Sequence, residues 1–177
     1  MRQVSRAVAY PVMVLAALGV LSSFCLSIAS FSGYATVEKT AFRLLFPGIF
    51  VVWLPTILFM NLLARDFKQR DLWKAALRGC PAWMRAAQWV VWGLAFAAFF
   101  APFLWGSKPE AFPAGFLFFP ATFYSVSFCV AYSLLHVEKY DAEHCCLNGH
   151  RMSPSAKFCE ECGAPAAPEG MQQPRLL

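Results

Sequence analysis

The residues in this chain best suited to chemistry lie near its C-terminal end, where four thiols and a histidine sit between Cys145 and Cys162. Cys159-Glu160-Glu161-Cys162-Gly163 sets two thiolates three residues apart. The glycine behind them lets backbone N–H groups turn toward sulfur, the arrangement of a zinc knuckle. Cys146-Leu147-Asn148-Gly149-His150 offers a second pair, and the eight residues between the pairs, with Ser153-Pro154, can form a short hairpin. Phe158 is expected to cover the site. Four N/S ligands close a tetrahedron and leave no open position, so the expected cofactor is a structural Zn2+. Its ligands would be Cys146, His150, Cys159 and Cys162, with Cys145 as the alternative to Cys146. A thioredoxin-type dithiol needs a βαβ context that this chain lacks. Covalent haem attachment needs a histidine after the second cysteine, where Gly163 stands.

What must carry this cluster is a strongly apolar chain. Of its 177 residues 59% are hydrophobic and 14% charged, and 18 are phenylalanine. Soluble domains are nearer half apolar and a quarter charged. Four apolar runs without Asp, Glu, Lys or Arg, at 8–31, 44–64, 86–106 and 111–137, each reach the ~20 residues that a bilayer-spanning helix requires. The expected fold is therefore mainly α: a polytopic membrane protein with four transmembrane helices in residues 1–137. After a linker at 138–144 come the small zinc ribbon at 145–165, built of knuckles and a β-hairpin, and a disordered tail at 166–177. The first run is longer than the h-region of a cleaved signal peptide, and Phe24 before Cys25 does not suit a lipoprotein cleavage site.

Basic residues set the expected orientation. With the N-terminus in the cytoplasm, twelve of the 15 Lys and Arg fall on the cytoplasmic side, and only Lys39, Arg43 and Lys108 on the other. Both termini are then cytoplasmic. Within the spans, Gly19, Ser23 and Ser27 form a small-residue stripe, and Gly93, Ala97 and Ala101 another. Such stripes let helices approach closely, within one chain or between copies. With no Asp, Glu, Lys or Arg in the spans and their one histidine, His136, at the end of the fourth, proton-coupled transport and intramembrane catalysis are disfavoured.

Between the second and third runs lies Arg65–Arg85, RDFKQRDLWKAALRGCPAWMR. Leu72, Trp73, Ala76, Leu77 and Cys80 follow helical spacing, Lys68, Arg70, Lys74 and Arg78 take the other side, and Gly79 with Pro81 ends the helix. The pattern is that of an amphipathic helix lying on the cytoplasmic interface. Trp73 and Trp83 would sit at headgroup depth, with the cations toward anionic lipid or a partner.

The run Asn148-Gly149-His150 followed by Lys157-Phe158-Cys159-Glu160-Glu161-Cys162-Gly163-Ala164-Pro165 resembles the short zinc ribbons appended to many bacterial proteins, membrane proteins among them. The resemblance covers about residues 146–165 and implies a Cys3His ligand set; Leu147 replaces the proline common after the first cysteine. The stretch from Trp73 to Arg85 resembles part of an uncharacterised bacterial membrane family, which implies the bacterial inner membrane and confers no activity. From Glu138 onward the tail carries four Lys and Arg against six Asp and Glu, which argues against nucleic acid as partner. The expected function is non-enzymatic: a membrane-anchored ribbon and basic helix that contact membrane lipids and a protein partner, or a second copy, in complex assembly. The alternatives are an oligomeric channel regulated by its ribbon, and a subunit of a membrane enzyme.

Overall fold

Long uninterrupted apolar stretches favour helix, and the chain is helical through most of its length. In the computed structural model the described residues are 2–31, 35–64, 72–104, 118–143, 146–148, 150, 152, 157–159 and 161–165. They form α1 (Arg2–Phe31), α2 (Ala35–Ala64), the short α3 (Leu72–Ala76), α4 (Ala82–Leu104) and α5 (Phe119–Glu143). Helices α1, α2 and α4 begin before their apolar segments, and α5 runs on past the end of its own. Residues 138–143, expected as a linker, contain no Gly or Pro, and α5 continues through them. Pro120, expected within the fourth span, is instead the second residue of α5. Proline there loses only an N–H that has no helical partner.

Helices α1 and α2 leave many large apolar side chains exposed, while α2 also buries Leu45, Ile49, Val52, Phe59 and Leu63. Helix α1 buries its small residues Ala9, Ala16, Gly19, Ser23 and Ser27, while Val14, Leu15, Leu18, Leu21 and Ile28 face outward. On α2, Thr56 is fully buried while Phe50, Val51, Leu54 and Leu58 are exposed. A protein in water places most of its large apolar side chains inside, so exposed apolar faces of this extent are compatible with apolar surroundings. Two helical stretches, Ala7–Ala29 and Leu45–Ala64, are long and apolar enough to cross a membrane. Only 28% of each is buried, which separates them from the core helices of a soluble domain.

Helix α5 is the hub, packed against α1, α2, α3 and α4. It is the one helix with Thr122, Ser125, Ser127 and Ser133 all buried. Three of those hydroxyls have partners that make their burial tolerable: Thr122 and Ser125 donate to carbonyls three residues back, and Ser133 Oγ accepts from Gly79 N–H at 3.1 Å. Gln88 of α4 joins α5 similarly. With its amide oxygen toward Trp92 Nε1 at 2.6 Å, its nitrogen donates to Ser125 Oγ and O, each at 3.2 Å.

The tightest junction is Tyr124. Its ring lies against Gly19 of α1, where an added Cβ would run into the ring. Its hydroxyl donates to the Leu45 carbonyl of α2 at 2.8 Å. The stripe Gly19–Ser23–Ser27 is thus used within the chain, with the two serine hydroxyls donating to the carbonyls of Gly19 and Ser23. The second stripe is not used in this way: Gly93 has nothing within 4 Å of an added Cβ, and Ala97 is exposed. The side chain of Ala101 lies outside the described residues.

Gly19→Ala is expected to destabilise the bundle by about 1–3 kcal/mol through overpacking against Tyr124, whereas Gly93→Ala, which meets open space mid-helix, leaves stability unchanged or raises it by up to ~1 kcal/mol. Unfolding of the detergent-solubilised protein in a denaturing-detergent titration measures both, and equal effects of the two would contradict the assigned packing.

Candidate metal centre

The C-terminal cluster is assembled by turns. Cys146 N–H donates to the His150 carbonyl at 3.0 Å, bending the first knuckle back on itself. The second closes with Cys159 N–H donating to Ala164 O at 2.8 Å and Gly163 N–H to Cys159 O at 2.9 Å. Gly163 has φ of +70°, a left-handed conformation that a side chain would disfavour, which is why a glycine follows the last cysteine. A single antiparallel bridge pairs Phe158 with Pro165, and Leu147 N–H reaches Pro165 O at 3.4 Å, so the two knuckles share one edge. Cys146 is a further bridge residue; Ser153-Pro154, where the hairpin turn was expected, lies outside the described residues.

These turns bring Cys146, His150, Cys159 and Cys162 together, with one ligand atom from each within 4.8 Å of all the others. Cys146 Sγ and Cys162 Sγ are 3.7 Å apart, and Cys159 Sγ lies 3.8 Å from His150 Nδ1. In a tetrahedral zinc site with Zn–S bonds of about 2.3 Å, two sulfurs lie about 3.8 Å apart. The separations therefore fit a zinc ion, and four protein ligands would fill its coordination. Cys145 lies outside the described residues.

The surroundings prepare the thiols for a cation. His150 N–H donates to Cys146 Sγ at 3.3 Å and Asn148 Nδ2 to Cys162 Sγ at 3.4 Å. The Ala164 backbone N–H, the Asn148 amide and His150 together pull the Cys162 thiol down to about 6, so that it is largely thiolate at neutral pH. The same sulfurs, first Cys162 and then Cys159, hold the His150 imidazolium above its ordinary range, with a smaller contribution from Glu161, whose carboxylate is 3.7 Å away. A site that attracts a proton this way attracts a divalent cation by the same charge.

Phe158 does not cover the cluster. It is 63% exposed, and Met152 takes that place, buried with Cys146 and Cys159 and backed by Ala164. Met152 was not singled out from the sequence; its position between the knuckles, in an otherwise polar stretch, was the available signal.

In the basic connector, Lys68 and Arg70 lie outside the described residues. Trp73 packs partly buried against the helical core, Lys74 is exposed, and Trp83 is 69% exposed. Arg78, expected on the outward face with the other cations, is instead buried at 5% exposure. The helix ends at Ala76 and residues 77–79 form a turn, so the helical period no longer governs where Arg78 lies. Pro81 then starts α4, its carbonyl accepting from Met84 and Arg85 N–H at 3.1 and 3.3 Å. No protein-family model, curated protein or solved structure matches the chain.

Purified chain is expected to hold one zinc per molecule by elemental analysis. Cys146→Ser or the pair Cys159→Ser and Cys162→Ser should release it, while Cys145→Ser retains it. Zinc below about half an equivalent, or loss on Cys145→Ser alone, would contradict the assigned ligand set.

Proposed function

We propose that the chain is a non-enzymatic integral membrane protein in which α1, α2, α4 and α5 span the bilayer. Both termini are cytoplasmic, and a zinc-bound ribbon and the basic connector present one contact surface for a protein partner in complex assembly. The observation that carries the reading is the closed Cys3His cluster: four protein ligands within 4.8 Å of one another make the metal a fold-holder with no position for substrate. The exposed apolar faces of α1 and α2 support the membrane assignment, as does the ~34 Å length of the 23-residue α4 against a hydrocarbon core of ~30 Å. The helical runs 8–31, 44–64 and 86–104 contain no charged side chain, which argues against a proton relay or an intramembrane active centre. The tail's acidic balance, four basic against six acidic residues, favours a protein partner over nucleic acid.

A second reading, an oligomeric pore, draws on Gly93 and Ala97, whose small-residue face is open on α4 and suits close approach of another helix. Flux of ions or small solutes through liposomes holding oligomer of defined size would support it, and impermeable liposomes would exclude it.

For the leading reading, a photo-cross-linker placed at Lys157 in native membranes is expected to capture one defined protein, and to lose it when Cys159 and Cys162 are changed to serine. A chain that stays a lone uncross-linked monomer, or a product unchanged by losing the zinc ligands, would contradict it.

A further inference from the structure

Two cavities on one side of α4 run into each other. The first, about 200 Å³, is lined by Trp73 and Lys74 of the connector and by Arg85, Gln88 and Trp89 at the start of α4. The second, about 390 Å³, lies deeper between α2, α4 and α5 and is walled by Trp53, Phe96, Phe100, Phe119 and Phe123. Trp73 and Trp92 line both. The first carries two cations and no acidic residue among its described lining; the second is almost wholly apolar. Arg85 and Phe100, at the two ends, are fifteen residues apart on α4, about 22 Å along the helix.

We propose that this composite groove binds an anionic phospholipid, its headgroup phosphate between Lys74 and Arg85 and one acyl chain lying along the aromatic wall. The proposal rests on the membrane-spanning reading above. The occupant follows from the chemistry of the two halves. A basic mouth beside tryptophans suits a headgroup at the interface, and two exposed cations there attract negative lipid. The depth suits a chain crossing one leaflet of a ~30 Å core. The aromatic walls are continuous: Trp92 meets Phe96 at 6.1 Å, Phe96 stacks on Phe100 at 6.4 Å and 11°, and Trp53 faces Phe123 edge-on at 5.2 Å. These rings pack against one another as walls, and the cavity of about 390 Å³ that they line is the space an extended chain would fill. The groove on the opposite side of α4, about 310 Å³ and lined by Leu21, Trp83 and Val91 among others, has no basic residue in its described lining. It provides an internal comparison with no headgroup selectivity.

Tryptophan quenching tests this in the full-length protein in uncharged micelles, using phosphatidylglycerol and phosphatidylcholine with brominated acyl chains. The anionic lipid should quench at a lower mole fraction than the zwitterionic one, by roughly fivefold for each basic residue engaged. Lys74→Gln with Arg85→Gln should bring the two curves together while zinc content stays unchanged. In the wild-type chain, raised ionic strength should narrow the gap in the same way, a readout that does not depend on the variant's folding. Equal quenching by the two lipids at low salt would overturn the proposal, as would a preference that survives both charge neutralisations. Quenching by neither lipid, with the chain retained in carbonate-washed membranes, overturns the groove assignment alone. Release by the carbonate wash overturns the membrane reading with it.

Discussion

The fold depends on one close fit, the ring of Tyr124 against the bare backbone of Gly19 with its hydroxyl held by the Leu45 carbonyl. If the bundle spans a membrane as proposed, burying apolar surface gives its helices no reason to associate, and association rests on close packing and hydrogen bonds. Tyr124 supplies both: its ring fills the space α1 leaves, and its O–H reaches α2. Once α1, α2 and α5 are fixed, α4 is placed by Gln88 on Ser125, and the connector by Gly79 on Ser133. The connector's short helix and the start of α4 thus owe their positions to polar contacts with the central helix.

Much of this could be read from residues alone, for identifiable reasons. The apolar runs mark the helices because length and absence of charge are local properties. The candidate metal ligands are also legible, because a Cys-x-x-Cys-Gly knuckle has its geometry written in its spacing, and Cys146, His150, Cys159 and Cys162 do converge. Where the outcome depends on partners distant in sequence, local pattern is insufficient. The two small-residue stripes look alike in sequence, yet Gly19 is filled by Tyr124, more than a hundred residues away, and Gly93 meets nothing. Arg78 follows the cationic side of a helical wheel that stops at Ala76, so its burial depends on a turn that propensity does not specify. Met152 takes the covering role expected of Phe158, which the bridge to Pro165 leaves exposed.

The two sites suit different tasks. The Cys3His cluster is small and polar and stabilised by its own turns, so a metal there would hold shape in a segment that buries little apolar surface; its described core is Cys146, Met152 and Cys159 with Ala164. The connector gathers tryptophan and basic side chains around an aromatic groove, where charge and apolar surface work together. Proposed as one cytoplasmic face, they divide the work: the ribbon for protein contact, the connector for the membrane surface.

That common face is the central claim, and side-specific labelling tests it most directly. A membrane-impermeant amine reagent applied to sealed vesicles of either orientation, with modified residues located by mass spectrometry, reports Lys74 of the connector and Lys157 of the ribbon in one sample. The account predicts that both lysines react in inside-out vesicles and that neither reacts in right-side-out vesicles. Labelling of the two from opposite sides, or of either from the outer face, would contradict it.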